Sequence, residues 1–104
     1  MKTILRQIES YQETISGFLL TLMEFEFLEI IKKLQNHSRL KVFQLQSCHV
    51  NDVYAKEIAL VTLKIQNLQE LTLTNNDISD VGAETIFQVL LEADRCSVTK
   101  LNLE

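Results

Sequence analysis

The sequence predicts an α/β solenoid: a short horseshoe with parallel strands on the concave side, helices on the convex side, and a helical segment ahead of it. Three observations predict this. The stretch Leu40-Lys-Val-Phe43-Gln-Leu45-Gln-Ser-Cys48-His-Val50 returns 28 residues later as Leu68-Gln-Glu-Leu71-Thr-Leu73-Thr-Asn-Asn76-Asp-Ile78, and a third copy opens at Val98-Thr-Lys-Leu101-Asn-Leu103-Glu104. Within each full copy a period-two apolar pattern gives way to one of helical period. The 104 residues include no proline and only two glycines, Gly17 and Gly82, which suits long helices and short fixed turns. A repeat fixes the architecture and favours a display surface over an active site.

Taken in order, residues 1–39 lack the strand pattern and are expected to be helical. Ile4, Leu5, Ile8, Tyr11, Ile15 and Phe18 give one apolar stripe, and Phe25, Leu28, Ile31 and Leu34 another. Ser16-Gly17 is the expected break between the two helices. A solenoid end exposes the core of its terminal repeat, so residues 1–39 are expected to form an N-terminal helical cap. The second helix could equally belong to a preceding repeat, because Ile30 stands 28 positions before Ile58.

Residues 40–104 carry the repeats, divided as 40–67, 68–97 and a partial 98–104. Aligning 40–67 with 68–95 pairs Leu40 with Leu68, Leu45 with Leu73, Asp52 with Asp80, Ala55 with Ala83 and Ile58 with Ile86. Leu71 and Leu73 alternate with Glu70, Thr72 and Thr74, as in a strand with one buried face. Ser79-Asp80 offers N-cap side chains ahead of the stripe Ala83, Ile86, Phe87 and Leu90. Asn51-Asp52 plays the same part ahead of Ala55, Ile58 and Ala59. The β-branched run from Ile58 to Ile65 could pass for a strand, and its register with the second unit decides for helix. The interval from Leu68 to Val98 is 30, which predicts two added residues in the loop Ala93–Ser97. Strands joined through helices run parallel with right-handed crossovers.

Composition excludes several classes. The net charge is −4, and the nearest basic cluster, Lys32-Lys33 with His37, Arg39 and Lys41, reads as a solvated helix end and loop, so no nucleic-acid partner is expected. Lys2 and Arg6 are followed by polar residues rather than an apolar core of a signal peptide. The most apolar run, Phe18 to Met23, is broken by Glu24 and Glu26 and falls far short of the ~20 residues of a membrane span. No membrane partner is expected, and a cytoplasmic setting is the default. Cys48 and Cys96 have no C-x-x-C spacing, and His37 and His49 do not stand at i,i+4. Cys48 and His49 are neighbours but lack a third ligand or orienting group. No catalytic residue, metal site or cofactor is expected.

The segment Leu68-Gln-Glu-Leu-Thr-Leu-Thr-Asn-Asn-Asp-Ile-Ser-Asp-Val-Gly-Ala83, its helix, and Cys96-Ser-Val-Thr-Lys-Leu-Asn-Leu103 resemble the ribonuclease-inhibitor-like class of leucine-rich repeat proteins. The resemblance covers roughly residues 38–104. It implies that Asn76 satisfies backbone groups in the turn leaving the strand, and that Cys48 takes the same place one unit earlier as a structural thiol. Gly82 and Ala83 then keep the helix start slim so that units stack. Tyr54 replaces that glycine in the first unit, which implies a different contact there. The class includes inhibitors, immune-receptor ectodomains, GTPase-activating proteins and bacterial effectors; an effector would be delivered into a host cytosol. The arginine of the GTPase-activating members has no counterpart at His49, Asn51, Asp77 or Ser79. The chain also lacks the Leu-Pro that opens an F-box.

Function is therefore sought on the concave face and its rim. The offsets stack Val42 with Glu70 and Lys100, Gln44 with Thr72 and Asn102, and Gln46 with Thr74 and Glu104. Ser47, His49, Asn75 and Asp77 form the adjoining rim. The candidate partner-binding residues are Val42, Gln44, Gln46, His49, Glu70, Thr72, Thr74, Asn75, Asp77, Lys100 and Asn102. No aromatic anchor is expected there. The first reading is a non-enzymatic module that binds a protein partner through these strands and loops. The second is a self-associating structural unit, or a fragment of a longer repeat protein, whose open C-terminal edge pairs with another copy as a homodimer.

Overall fold

The alternation seen at Phe43 and Leu45 has a counterpart 28 residues upstream, at Ile15 and Gly17, and a strand forms there. The computed structural model describes residues 2–18, 24–37, 39–65, 67–92 and 97–103. The elements are α1 (Lys2–Glu9), β1 (Thr14–Phe18), α2 (Glu24–Leu34), β2 (Val42–Gln46), α3 (Asp52–Thr62), β3 (Glu70–Thr72), α4 (Asp80–Glu92) and β4 (Lys100–Asn102). The four strands form one parallel sheet in chain order. Strands and helices alternate as a short α/β horseshoe.

The all-helical reading of residues 1–39 is thus corrected. Thr14–Phe18 pair with Val42–Gln46 at the same 28-residue offset that relates the later units. Gly17 hid the strand. It occupies an inward position that leucine fills in the other units, so the apolar alternation is broken at its centre. The strand makes α2 the helix of a complete first unit. The inward face of α2 is Phe27, Ile30, Ile31 and Leu34. Phe25 and Leu28, expected on the buried stripe, are 68% and 56% exposed. In α1 the stripe holds for Ile4 and Ile8, both buried. The helix then ends, and Tyr11 takes a left-handed φ of 53° in the turn toward β1.

The core fills the space between sheet and helices with Ile15, Phe43, Leu45 and Leu71 from the strands and Phe27, Ile30, Ile58 and Ile86 from the helices, all 2% exposed or less. The first three helices of the units have comparable starts, but α4 has 13 residues against 11 in α3. Those two residues account for the longer interval, so it is the helix that lengthens. The expected insertion falls mostly on residues 93–96, outside the described residues.

The two sheet edges differ. At β1 the amide of Gln7 mimics a neighbouring strand: its Nε2 donates to the Ser16 carbonyl at 2.9 Å, and the Ser16 N–H donates to its Oε1 at 3.0 Å. A covered edge cannot recruit another chain. At β4 the core positions Val98, Leu101 and Leu103 are only half-buried, whereas their counterparts Leu68, Leu71 and Leu73 are fully buried. Gln7→Ala is expected to cost about 1 kcal/mol, from two lost hydrogen bonds at an exposed edge. Amide exchange at Ser16 should accelerate while exchange in β3 stays unchanged.

Candidate interaction surface

Side chains alternate along each strand, so whatever flanks the buried positions faces outward on one sheet surface. The register builds this surface in rows: Thr14, Val42, Glu70 and Lys100; then Ser16, Gln44, Thr72 and Asn102; then Phe18 and Gln46. Thr74 follows Gln46 by one repeat, and Glu104 lies outside the described residues. The positions are unequally open. Lys100 and Asn102 are exposed, Val42, Gln44, Gln46, Glu70 and Thr74 are half-buried, and Thr72 is only 8% exposed. Glu70 and Lys100 are register partners, but no ion pair joins them.

The first strand changes the character of this face. Phe18 stands in the Gln46 row at 62% exposure, with Thr14 and Ser16 beside it. These three residues escaped the sequence reading, and with Phe18 an aromatic side chain appears where none was expected. The signal that would have found it is the 28-residue offset carried back from Gln46.

The rim is built by contacts between equivalent residues. Asn76 Oδ1 accepts from the N–H groups of Cys48 and Val50 at 2.8 and 3.2 Å, while its Nδ2 donates to the carbonyls of Leu45 and Thr74 at 2.8 and 3.1 Å. One amide thus satisfies four backbone groups that the turn would otherwise leave unpaired. Cys48 fills the matching place one unit earlier, fully buried, its thiol donating to the Gln46 carbonyl at 3.3 Å. Beside this ladder, Asn75 Nδ2 donates to Ser47 Oγ at 2.7 Å, and His49 Nδ1 meets Asp77 Oδ2 at 3.2 Å. Ser47, His49 and Asn75 have left-handed φ of 55°, 57° and 55°. His, Asn and other short polar residues tolerate that region better than β-branched ones.

Comparison with known proteins agrees with this geometry. A family model described as Leucine Rich repeat matches residues 64–87. The fold is that of a leucine-rich repeat protein. A structure titled Leiomodin-1 Actin-Binding Site 2 superposes with a TM-score of 0.75 at 19% identity, covering 95% of this chain and 58% of that one. The tropomodulin C-terminal domain of Caenorhabditis elegans superposes with a TM-score of 0.79 at 10% identity, covering 99% of this chain and 63% of that one. The chain therefore spans about three-fifths of the structures it matches. No curated protein matches its sequence.

The leucine-rich repeat units are also joined at their helix starts. Asn51 caps α3, its side chain accepting from the Tyr54 N–H at 2.9 Å. At α4 the cap comes from the previous unit instead. Asp52 accepts from the Ser79 N–H at 2.8 Å and from the Ser79 hydroxyl at 2.5 Å, and these bonds hold its carboxyl below the usual carboxylate range. Gly82 leaves room for that carboxylate: a Cβ there would lie 2.1 Å from Asp52 Oδ1 and 3.0 Å from Ile78 Cγ2. Tyr54, which holds the glycine's place one unit earlier, instead stacks on Phe27 with ring centroids 4.0 Å apart. Gly82→Ala is expected to lower the melting temperature by several degrees, because Asp52 must release Ser79. On an Asp52→Ala background the same substitution should be neutral or stabilising, since alanine is the better helix former. Equal effects in both backgrounds would show that Asp52 is not what the methyl displaces.

Among the described residues, no helix is long and apolar enough to cross a membrane.

Proposed function

We propose that this leucine-rich repeat domain is a non-enzymatic protein-interaction module of the ribonuclease-inhibitor-like class. Its array is read as beginning at Thr14, with α1 as the cap. It binds a protein partner through the concave rows and the Ser47–Asp77 rim, in a cytosolic setting. The observation that carries the reading is Phe18, an aromatic ring 62% exposed beside hydrogen-bonding side chains on a sheet whose other face is fully packed. Aromatic side chains of this kind dominate binding energy at interfaces. The leiomodin structure makes actin the first partner to test.

Cosedimentation with actin filaments tests it. The native chain is expected to pellet, and Phe18→Ala or Gln44→Arg to lose at least tenfold in affinity with circular dichroism unchanged. A native chain that stays in the supernatant removes actin as the partner. Pelleting that survives both substitutions removes the concave face as the site.

A second reading rests on the other end. Phe87 and Leu91 are 49% and 81% exposed, and with Leu90, Val98 and Leu101 they line an open groove of about 290 Å³. Pairing of β4 with a second copy would cover it. Light scattering across a concentration series decides: a constant monomer mass excludes that reading.

A further inference from the structure

The convex side carries an exposed apolar row that the concave reading leaves unused. Phe25, Val53 and Val81 are the second residues of α2, α3 and α4, each 28 residues from the next. They are 68%, 68% and 69% exposed, and Leu28, one turn along α2, is 56% exposed. Single apolar residues on a surface need no explanation. Three in one register, equally open in every unit, make a row laid across the helix starts. Packing cannot have selected them, because none enters the core. In the same helices the inward positions Phe27, Ala55 and Ile58 are at most 1% exposed.

The surroundings of the row are acidic. Glu24, Asp52 and Asp80 precede its members directly, and Glu29, Glu57 and Glu84 lie about one turn further on. Acids in a first turn complement the helix dipole, which accounts for the first three. It does not account for the second three, nor for the apolar residues between them. Lys56 is the one lysine or arginine within four residues of the row among the described residues.

We propose that this row is a second docking surface, and that its occupant is a basic amphipathic helix of another protein lying across α2, α3 and α4. Packed helices sit about 8–10 Å apart, and two turns of a helix rise about 10.5 Å. Apolar residues at i, i+7 and i+14 of the occupant therefore meet Phe25, Val53 and Val81 in turn. Its lysines and arginines between them meet the flanking carboxylates. Charge selects this occupant over others. A second copy would bring the same acids to face themselves, and an anionic membrane surface would be repelled.

The test uses the full chain and a labelled 18-residue synthetic peptide with leucine at positions 2, 9 and 16 and arginine or lysine flanking each. A control peptide of the same composition has its leucines at positions 2, 4 and 6. Fluorescence anisotropy is expected to show the patterned peptide binding at least tenfold tighter than the control. Val53→Lys should weaken it at least tenfold, and Gln44→Arg on the concave face should leave it unchanged. Val53 is exposed, so the variant should fold, and circular dichroism checks that it does. Absence of binding, equal binding of both peptides, or indifference to Val53→Lys would each overturn the proposal; the last two would reduce the face to unspecific charge attraction.

Discussion

Asn76→Ala is expected to lower the unfolding free energy by about 3–5 kcal/mol, since a buried polar group left without its partner costs roughly 1–3 kcal/mol and several are stranded together. The side chain serves the N–H groups of Cys48 and Val50 and the carbonyls of Leu45 and Thr74. Val50 and Cys48 are fully buried, and water reaches their backbone poorly. Asn76→Asp separates the two halves of the effect, because it keeps the acceptor for the two N–H groups and loses the donors to the two carbonyls. It should fall between the native chain and the alanine variant in a urea titration. A loss under about 1 kcal/mol for Asn76→Ala would mean that the turn is held by something other than this amide.

The second large effect concerns His37 and acid. Its ring is 2% exposed, packed on Tyr11 with centroids 5.2 Å apart, and neither ring nitrogen has a hydrogen-bond partner. Burial holds its pKa below the ordinary histidine value. The charge of Arg39 adds to this, and backbone groups of His37 and Gln12, near the ring but not hydrogen-bonded to it, oppose it. Glu9 and Lys33, paired at 3.6 Å, and Asn36 line the adjoining cavity of about 330 Å³. The unfolded chain therefore takes up this proton at a higher pH than the folded one. The stabilisation is complete above the unfolded value and is lost as pH falls through the folded one, with a slope of at most ~1.4 kcal/mol per pH unit. His37→Phe keeps the ring contact and removes the unpartnered nitrogens. It is expected to stabilise the fold by about 1–2 kcal/mol at pH 7 and to flatten thermal stability between pH 7 and 5. Asp52 responds in a different window. Its pKa is lowered, so its contribution is present above the ordinary carboxylate value and is lost only in stronger acid. An unchanged slope in His37→Phe would place the sensitivity on other groups. The exposed His49–Asp77 pair is a weak candidate, because solvent screens it.

What was legible in the sequence followed from how much chemistry each position repeats. From Leu40 onward the inward positions carry leucine or phenylalanine, and the turn carries Cys48 or Asn76, so period and offset alone give the strands, the helices α3 and α4, and the rows of the concave face. The first unit has the same geometry with different residues. Gly17 stands for Leu45, and Leu20 stands for Cys48, so a search for the leucine pattern passes over a strand that the sheet nonetheless accepts. The face of α2 was misread for a related reason: Phe25 and Leu28 are as apolar as Phe27 and Ile30, and periodicity cannot choose between two adjacent apolar stripes. Phe18 was lost from the candidate surface with its strand. Contacts between units were invisible for another reason. Asp52 reads as an ordinary first-turn acid, and only the folded chain brings it to Ser79 and Gly82.

The joints at Asn76 and Asp52 point in opposite directions. Asn76 finishes a turn of the unit before it, and Asp52 begins a helix of the unit after it. Neither unit is complete by itself, so the chain has no seam between residues 48 and 82 at which it could be cut into independent parts. The same interlock sorts tolerable from intolerable changes of length. Two residues more in α4 leave the pairing of Glu70 with Lys100 undisturbed. One residue more between Leu73 and Ser79 would pull Asn76 and Ser79 out of reach of their partners together. Length drift in such an array should collect on the outer, helical arc, while the inner strand exits keep their count.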